Sequence, residues 1–257
     1  MIVVRKIAGL ATIQDEGRAG FASQGVPRGG ALVRSLARRA NAAVGNAAAA
    51  ACVEVFGRLL CVAERDVLVA TDRGDARRLR AGEELAIDPD PGLRVRYLAI
   101  AGGVQAPLRL GGRSTLLVAG LGRALRAGDA IESAGAADAP RARESEESRG
   151  PIRLVAGPDH PDVANLIAGR PWRIGAASDR TGTRLEGDPI ANAPAPTRSS
   201  PMICGALQLP PAGTPIVIGP DGPTTGGYPI VAVLARADRD RFHALPIGAA
   251  VRFEVLT

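Results

Sequence analysis

Three short stretches carry residue types that could do chemistry. The first is "QDEGRAGFASQGVPRGG", residues 14–30, where Gln14, Asp15, Arg18 and Arg28 sit among glycines. A guanidinium presents a planar fork that grips a carboxylate or phosphate through two parallel hydrogen bonds. A carboxylate beside it either fixes that fork or handles a proton. An Asp–Arg pair that merely closes a loop uses the same residues. The second stretch, "SDRTGTRLEG", groups Ser178, Asp179, Arg180, Arg184 and Glu186. It reads either as an anion-binding corner or as a salt-bridged hairpin. The third, "TTGGYP", sets Thr224, Thr225 and Tyr228 around Gly226-Gly227. The two glycines can supply positive φ for a hairpin, and Pro229 pushes Tyr228 toward extended geometry. A turn does not require the three hydroxyls; the stretch reads either as a polar pocket wall where a ligand approaches bare backbone or as a Gly-rich hairpin with β-branched flanks.

Other chemistries lack their residues. His160 and His243 are the two histidines, one in a Pro-flanked loop and one on an expected surface helix, and both read as structural or solvated. Neither lies in a GxSxG or HExxH setting, and no Walker loop or unbroken GxGxxG opens a helix. No set of three or four metal ligands is visible. Cys52, Cys61 and Cys204 are odd in number and form no CxxC. Cys52 and Cys204 lie in apolar surroundings and read as small buried hydrophobes, which fits a reducing compartment.

The elements that must position these stretches are mostly strands. A chain of 257 residues forms one large domain or two small ones. It is 46% hydrophobic with only 3% aromatic, and its 32 glycines and 20 prolines favour short elements over long helices. The net charge of +6 is carried almost wholly by arginine, Lys6 being the only lysine. The arginines are scattered among acids without interleaved aromatics, so the chain lacks the concentrated stripe of a nucleic-acid surface. "MIVVRKIAGL" turns polar too soon for a signal peptide, and no apolar run reaches the roughly 18 residues of a membrane span. A cytoplasmic protein is expected, with no nucleic-acid or membrane partner.

"MIVVRKI" reads as a strand and "GLATIQDEGRAGFASQGVPRGG" as loop. "ALVRSLARRANAAVGN" is the clearest helix: Leu32, Leu36, Ala40 and Val44 recur at helical spacing and Gly45 can close it. "AAAAACVEVF" suits helix or strand. Residues 133–150, "SAGAADAPRARESEESRG", lack large apolar side chains and read as a linker or surface excursion. They divide the chain into 1–132, a β-rich domain with one helix, and 151–257. Both parts end in a glycine followed by a strand, "LRAGDAIE" and "LPIGAAVRFEV", as two β-barrels of similar design would.

The phrases "QDEGRAGFASQGVPRGGAL", "RANAAVGN", "LAIAGGV", "LGGRST", "GRALRAGD", "SDRTGTRLEG", "GALQLPPAGTPIV" and "TTGGYP", in that order, resemble the allophanate hydrolase subunit 2 family. That biotin-dependent carboxyltransferase-like family includes the C-type component of ATP-dependent 5-oxoprolinase, the KipI antagonist KipA, and half of the carboxyltransferase domain of urea carboxylase. The resemblance covers nearly the whole chain. It implies a mainly β fold with a few helices, in two barrel-like domains of which the second is cyclophilin-like. It also implies a KipI-like (subunit 1, or B-type) partner, an A-type subunit in the oxoprolinase setting, and a small amide or carboxylate substrate. ATP would act at the level of the complex, with ring opening of 5-oxoproline to glutamate as the reaction. Biotin enters only in the carboxyltransferase alternative, and a KipA-type regulator would do no chemistry.

By the same resemblance, Asp15, Arg18, Asp179 and Arg180 are catalytic candidates. Gln14, Arg28, Arg113, Ser114, Thr115, Ser178, Gln208, Thr224, Thr225 and Tyr228 are substrate-binding candidates. The chain departs from the family pattern at Val33, where an Asp is usual. It departs again at Thr181 and Thr183, which replace a large apolar and an aromatic residue.

Overall fold

A computed structural model describes residues 1–134, 150–196 and 198–256. The expected linker over 133–150 lies almost wholly outside the described residues. The chain divides into two compact units, Met1–Ala19 with Gly29–Glu146, and Gly20–Arg28 with Glu147–Thr257.

The first unit is built on one long antiparallel pair, β1 (Ile2–Gln14) and β2 (Cys52–Ala63). Helix α1 (Arg34–Ala43) joins them. Four further strands follow: β3 (Val67–Thr71), β4 (Ala76–Leu79), β5 (Glu84–Ile87) and β6 (Arg96–Ile100). The two-residue β7 (Ala130–Ile131) completes the sheet, whose order is β4-β3-β6-β2-β1-β7 with β5 also paired to β2. Strand β2 thus changes partner along its length. Val53–Val55 pair with β6, and Leu59–Val62 pair with β5. Alternating side chains from these strands fill a single core that includes Val53, Val55, Leu59, Leu98, Ile100 and Ile131.

Strand β1 runs straight through "GLATIQ", which reads locally as loop. Gly9 and Leu10 stay in the ladder because β2 pairs with them at Gly57 and Phe56. The alanine-rich approach to "CVEVF" likewise resolves as strand from Cys52 onward. Helix α1 follows its periodicity, burying Leu36, Ala37, Ala40 and Asn41, and Gly45 behind it takes φ 76°. The asparagines of "RANAAVGN" explain that phrase. Asn46 donates to Asn41 Oδ1 at 2.9 Å and to the Ile100 carbonyl at 2.8 Å, and accepts from the Gly102 amide at 2.7 Å. Helix end and strand end are locked by one side chain.

The second unit is a near-closed barrel. Its strands are β8 (Ile152–Ala156), β9 (Trp172–Ile174), β10 (Gly182–Glu186), β11 (Ser200–Pro201) and β12 (Ala206–Gln208). They continue with β13 (Ile216–Ile218), β14 (Thr225–Gly226), β15 (Ile230–Leu234), β16 (Ala250–Val251) and β17 (Phe253–Val255). Two short helices, α2 (Asp162–Ala168) and α3 (Arg239–Ala244), accompany them. The main sheet runs β16-β9-β10-β13-β12-β15-β8-β17, and β11 pairs with β14 apart from it. The two edge strands, β16 and β17, are separated only by Arg252, so one short stretch of chain reaches both edges and leaves little of either unpaired. Trp172, Leu154, Leu207, Val217, Val231 and Phe242 fill the core. The buried Trp172 indole N–H is satisfied by the Ile167 carbonyl at 2.9 Å.

Among the described residues, no helix is long and apolar enough to cross a membrane. No group of three or more His, Cys, Asp or Glu is placed to hold a metal among them.

Candidate functional site

In the first unit, the end of β1 and the "LGGRST" loop are stitched together. The Thr115 amide donates to the Ile13 carbonyl at 2.8 Å. Gln14 is fully buried, and its Nε2 donates to Thr12 Oγ1 and to the Thr115 carbonyl, each at 3.0 Å. Its Oε1 is shielded from solvent with no hydrogen-bond partner among the described residues.

Asp15 is the hub of the next turn. Its Oδ1 accepts from the Gly17 amide at 2.7 Å and from the Ser114 hydroxyl, and its Oδ2 accepts from the Arg113 amide at 2.6 Å. The Asp15 amide in turn donates to Ser114 Oγ at 3.0 Å. Both carboxylate oxygens are therefore committed to holding the two loops in register. Arg18 is 2% exposed and spans the same loops, with Nε on the Arg109 carbonyl at 3.3 Å and Nη2 on the Ser114 carbonyl at 2.6 Å. Arg113 bonds the Ala106 carbonyl. Gly30 has to be glycine: it takes φ +88°, and a Cβ there would stand 2.7 Å from the Gly17 nitrogen.

The sequence candidates Gln14, Asp15, Arg18, Arg113, Ser114 and Thr115 thus form one cluster, although about a hundred positions of chain separate its two halves. Arg28 is exposed and belongs to the second unit.

A second network in this unit has no local sequence signal. Glu54, fully buried on β2, accepts from the Leu32 amide at 2.8 Å and from the Tyr97 hydroxyl at 2.6 Å. The Val33 amide donates to the same Tyr97 oxygen at 2.9 Å. Burial and the neighbouring Glu54 carboxylate push the Tyr97 phenol well above its ordinary range, so it stays a donor. These bonds fix the entry into α1, where Val33 stands at the cap position with no side-chain cap.

In the second unit, "SDRTGTRLEG" forms a tight turn leading into β10. Asp179 Oδ1 accepts from the Thr181 amide at 2.8 Å and the Gly182 amide at 3.0 Å. Ser178 Oγ accepts from the Arg184 amide at 3.0 Å. Arg180 is 7% exposed and makes a bidentate pair with Asp221, at 2.8 and 2.7 Å. The fork expected to clamp an anion is engaged by an internal carboxylate. Its partner, 41 positions away, carries no signal in the local sequence. Gly219 lies against the same turn, where a Cβ would stand 2.1 Å from the Arg180 carbonyl oxygen.

The "TTGGYP" stretch is a strand at its centre. Thr225 and Gly226 pair with Pro201 and Ser200. Neither Gly226 nor Gly227 is among the glycines with positive φ, so the pair does not supply left-handed geometry. Gly226 lies close over two side-chain ends: a Cβ there would stand 2.8 Å from both Gln208 Nε2 and Met202 Cε, which would have to shift. Gln208 is buried beneath the strand and donates to the Tyr228 carbonyl at 3.2 Å. Thr225 and Tyr228 are exposed above it, and Thr224 is half-buried. On the flank formed by β10 and β13, a cavity of about 260 Å³ opens between Arg184, Glu186, Thr214 and Ile216. That volume suits a small polar molecule better than a drug-sized one.

Two histidine and cysteine readings are corrected. His243 is on α3 but faces inward, 1% exposed, and Cys204 is only partly buried, with Sγ 3.8 Å from His243 Nε2.

Comparison with known proteins places this architecture. The chain is 32% identical to the C-type component of 5-oxoprolinase from Escherichia coli strain K12, over 94% of this chain and 87% of that one. It is 28% identical to the Haemophilus influenzae protein of the same name, over 100% of this chain and 92% of the other. A urea amidolyase of Lachancea kluyveri matches at 26% identity over 94% of this chain, which spans only 16% of that much longer protein. Among solved structures, TTHA0988 superposes with a TM-score of 0.89 at 26% identity over 98% of this chain, which spans 56% of the TTHA0988 chain. Kluyveromyces lactis urea carboxylase shares the fold, with a TM-score of 0.88 at 23% identity over the whole of this chain and 27% of its own. The family described as carboxyltransferase domain, subdomain A and B, matches residues 24–255. With that match over most of its length, the chain belongs to the carboxyltransferase domain family.

Proposed function

We propose that this chain is the C-type component of an ATP-dependent 5-oxoprolinase, which opens the 5-oxoproline ring to glutamate together with a KipI-like B-type component and an A-type component. The observation that carries this reading is the 32% identity to the Escherichia coli protein across almost the full length of both chains. The chemistry of the exposed groups supports it. The substrate is a small lactam bearing one carboxylate. Thr225 and Tyr228 offer two hydroxyls to solvent, and the exposed Arg184 stands at a cavity of about 260 Å³. In this proposal a guanidinium takes the carboxylate and the hydroxyls orient the lactam. Asp15, Arg18, Asp179 and Arg180 act as positioning residues, since each is bonded to backbone or to a neighbouring carboxylate in its own unit. ATP acts at the level of the complex; this chain has no Walker loop and none of its residues is assigned to the nucleotide.

A second reading, a carboxyltransferase half that takes a carboxyl group from biotin on a carrier, draws on the family match and on the Lachancea kluyveri urea amidolyase. The two readings separate in one experiment. The chain is combined with its organism's A-type and B-type partners, and 5-oxoproline-dependent ATP hydrolysis is followed with and without it. Turnover that requires the chain supports the first reading. An assembled complex that is silent toward 5-oxoproline but transfers carboxyl groups from a biotinylated carrier supports the second.

A further inference from the structure

The three cysteines occupy very different surroundings. Cys52 and Cys61 are buried in the first unit, and burial pushes both thiols up, Cys61 to about 12. Neither forms appreciable thiolate at neutral pH. Cys204 is partly exposed on the approach to β12, in the second unit. Its Sγ lies 3.8 Å from Nε2 of His243, within hydrogen-bonding reach for sulfur. The imidazole is held in place: His243 is 1% exposed in the last turn of α3, and its ring meets Phe242 edge-on at 5.4 Å between centroids.

Several charged groups belong to α3 and its N-terminal flank. Arg239 packs over the next residue, its Nε 3.2 Å from where a Gly205 Cβ would be. Asp238, the buried acid at the start of α3, is occupied by Arg153 at 2.7 Å and Arg241 at 3.3 Å. Asp240 lies on α3 one turn before His243. A thiol beside an imidazole and near an arginine has the setting in which thiolates form and react.

We propose that Cys204 and His243 form a reactive thiol–imidazole pair, a modification site at which hydroperoxides oxidise the cysteine to a sulfenic acid. The Cys204 thiol gives its proton to His243 Nε2. The thiolate attacks one peroxide oxygen, so an S–O bond forms as the O–O bond breaks. The leaving oxygen takes the proton from the imidazolium and departs as water, or as an alcohol from an organic hydroperoxide. Sulfur loses two electrons and the peroxide gains them, which makes this the first, reversible step of cysteine oxidation.

The test uses the full chain at pH 7 with hydrogen peroxide as probe, dimedone to trap sulfenic acid, and peptide mapping to locate it. Cys204 is expected to be trapped at least tenfold faster than a short unstructured cysteine peptide, with Cys52 and Cys61 unlabelled. In His243→Gln the Cys204 rate should fall at least tenfold. Should that variant fail to fold, the pH–rate profile of the unaltered chain decides, with an inflection expected below the roughly 8.5 of a free cysteine. Oxidation of Cys204 no faster than the peptide, an unchanged rate in folded His243→Gln, or an inflection at or above the free value would each overturn the proposal.

Discussion

Gly9 and Gly57 stand opposite each other in the β1–β2 ladder, at the point where β2 leaves β6 and takes up β5. Each has positive φ, +120° and +98°, and a Cβ on either would lie 2.1 Å from a carbonyl oxygen of the facing strand. With these φ angles the facing carbonyl leaves no room for a side chain at either position. Gly57→Ala should therefore destabilise the first unit by about 3 kcal/mol, combining backbone strain with a steric clash. Gly82 is the control. It has φ +86° but nothing within 4 Å of its would-be Cβ, so Gly82→Ala should cost only about 1 kcal/mol. Denaturant midpoints of the two variants check the difference.

The Arg180–Asp221 pair predicts a strong asymmetry. Arg180→Ala leaves a buried carboxylate without its counter-charge and should cost about 3–5 kcal/mol. The Arg180→Met, Asp221→Leu double variant removes both charges and should recover most of that loss. Urea unfolding of the single and double variants measures it, and a double variant as unstable as the single would contradict an electrostatic origin.

The Asp15 hub predicts a local effect. Asp15→Asn weakens an arrangement in which one carboxylate takes three donors, and should cost about 1–3 kcal/mol. Hydrogen exchange should accelerate at the Gly17 and Arg113 amides while the β2–β6 ladder keeps its protection.

Acid stability of the second unit should depend on Asp238. The hydrogen bond from Arg153, foremost, holds its carboxyl below the ordinary value of 3.8. A depressed folded value means the unfolded chain binds the proton first. The stabilisation is thus complete above pH 3.8 and is lost as the pH falls through the lowered folded value. Asp238→Asn should flatten the dependence of urea midpoint on pH in that acid window and leave the slope near neutrality unchanged.

If the chain serves a 5-oxoprolinase, the exposed groups and not the buried arginines should govern substrate use. Tyr228→Phe and Arg184→Met should raise the KM for 5-oxoproline in the reconstituted complex by about tenfold each, the scale of one lost hydrogen bond or charge contact. Assembly of the complex, followed by size-exclusion chromatography, should be unaffected.

What the amino-acid order disclosed follows the range of the interactions. Helix α1 was legible because its signal, the spacing of Leu36 and Ala40 with Gly45 behind them, is contained within about a dozen residues. The continuation of β1 through "GLATIQ" was not, because Gly9 is tolerated there only by Gly57, its partner far along the chain. The candidate residues were legible as residue types but not as roles. Asp15 and Arg180 have the composition of a reactive site, and whether such a group is offered to a ligand depends on what lies across the fold. For Arg180 that is Asp221, and for Asp15 it is Ser114 and Arg113. Inward-facing His243 escaped for the same reason, since a short helix rich in arginine and aspartate looks solvated until its buried side is known.

The single residue between β16 and β17 also bears on how this unit comes to exist. The parallel pairing of β17 with β8 joins the first strand of the barrel to its last, across about a hundred residues of chain. On the ribosome, the edge of β8 must wait unpaired until residue 255 has emerged. Through that interval it is a sticky template for other nascent chains. A protein truncated just before β16 would keep most of its core residues yet behave as an aggregation-prone open sheet, and a chaperone that shields β8 during synthesis would raise the yield of closed barrels.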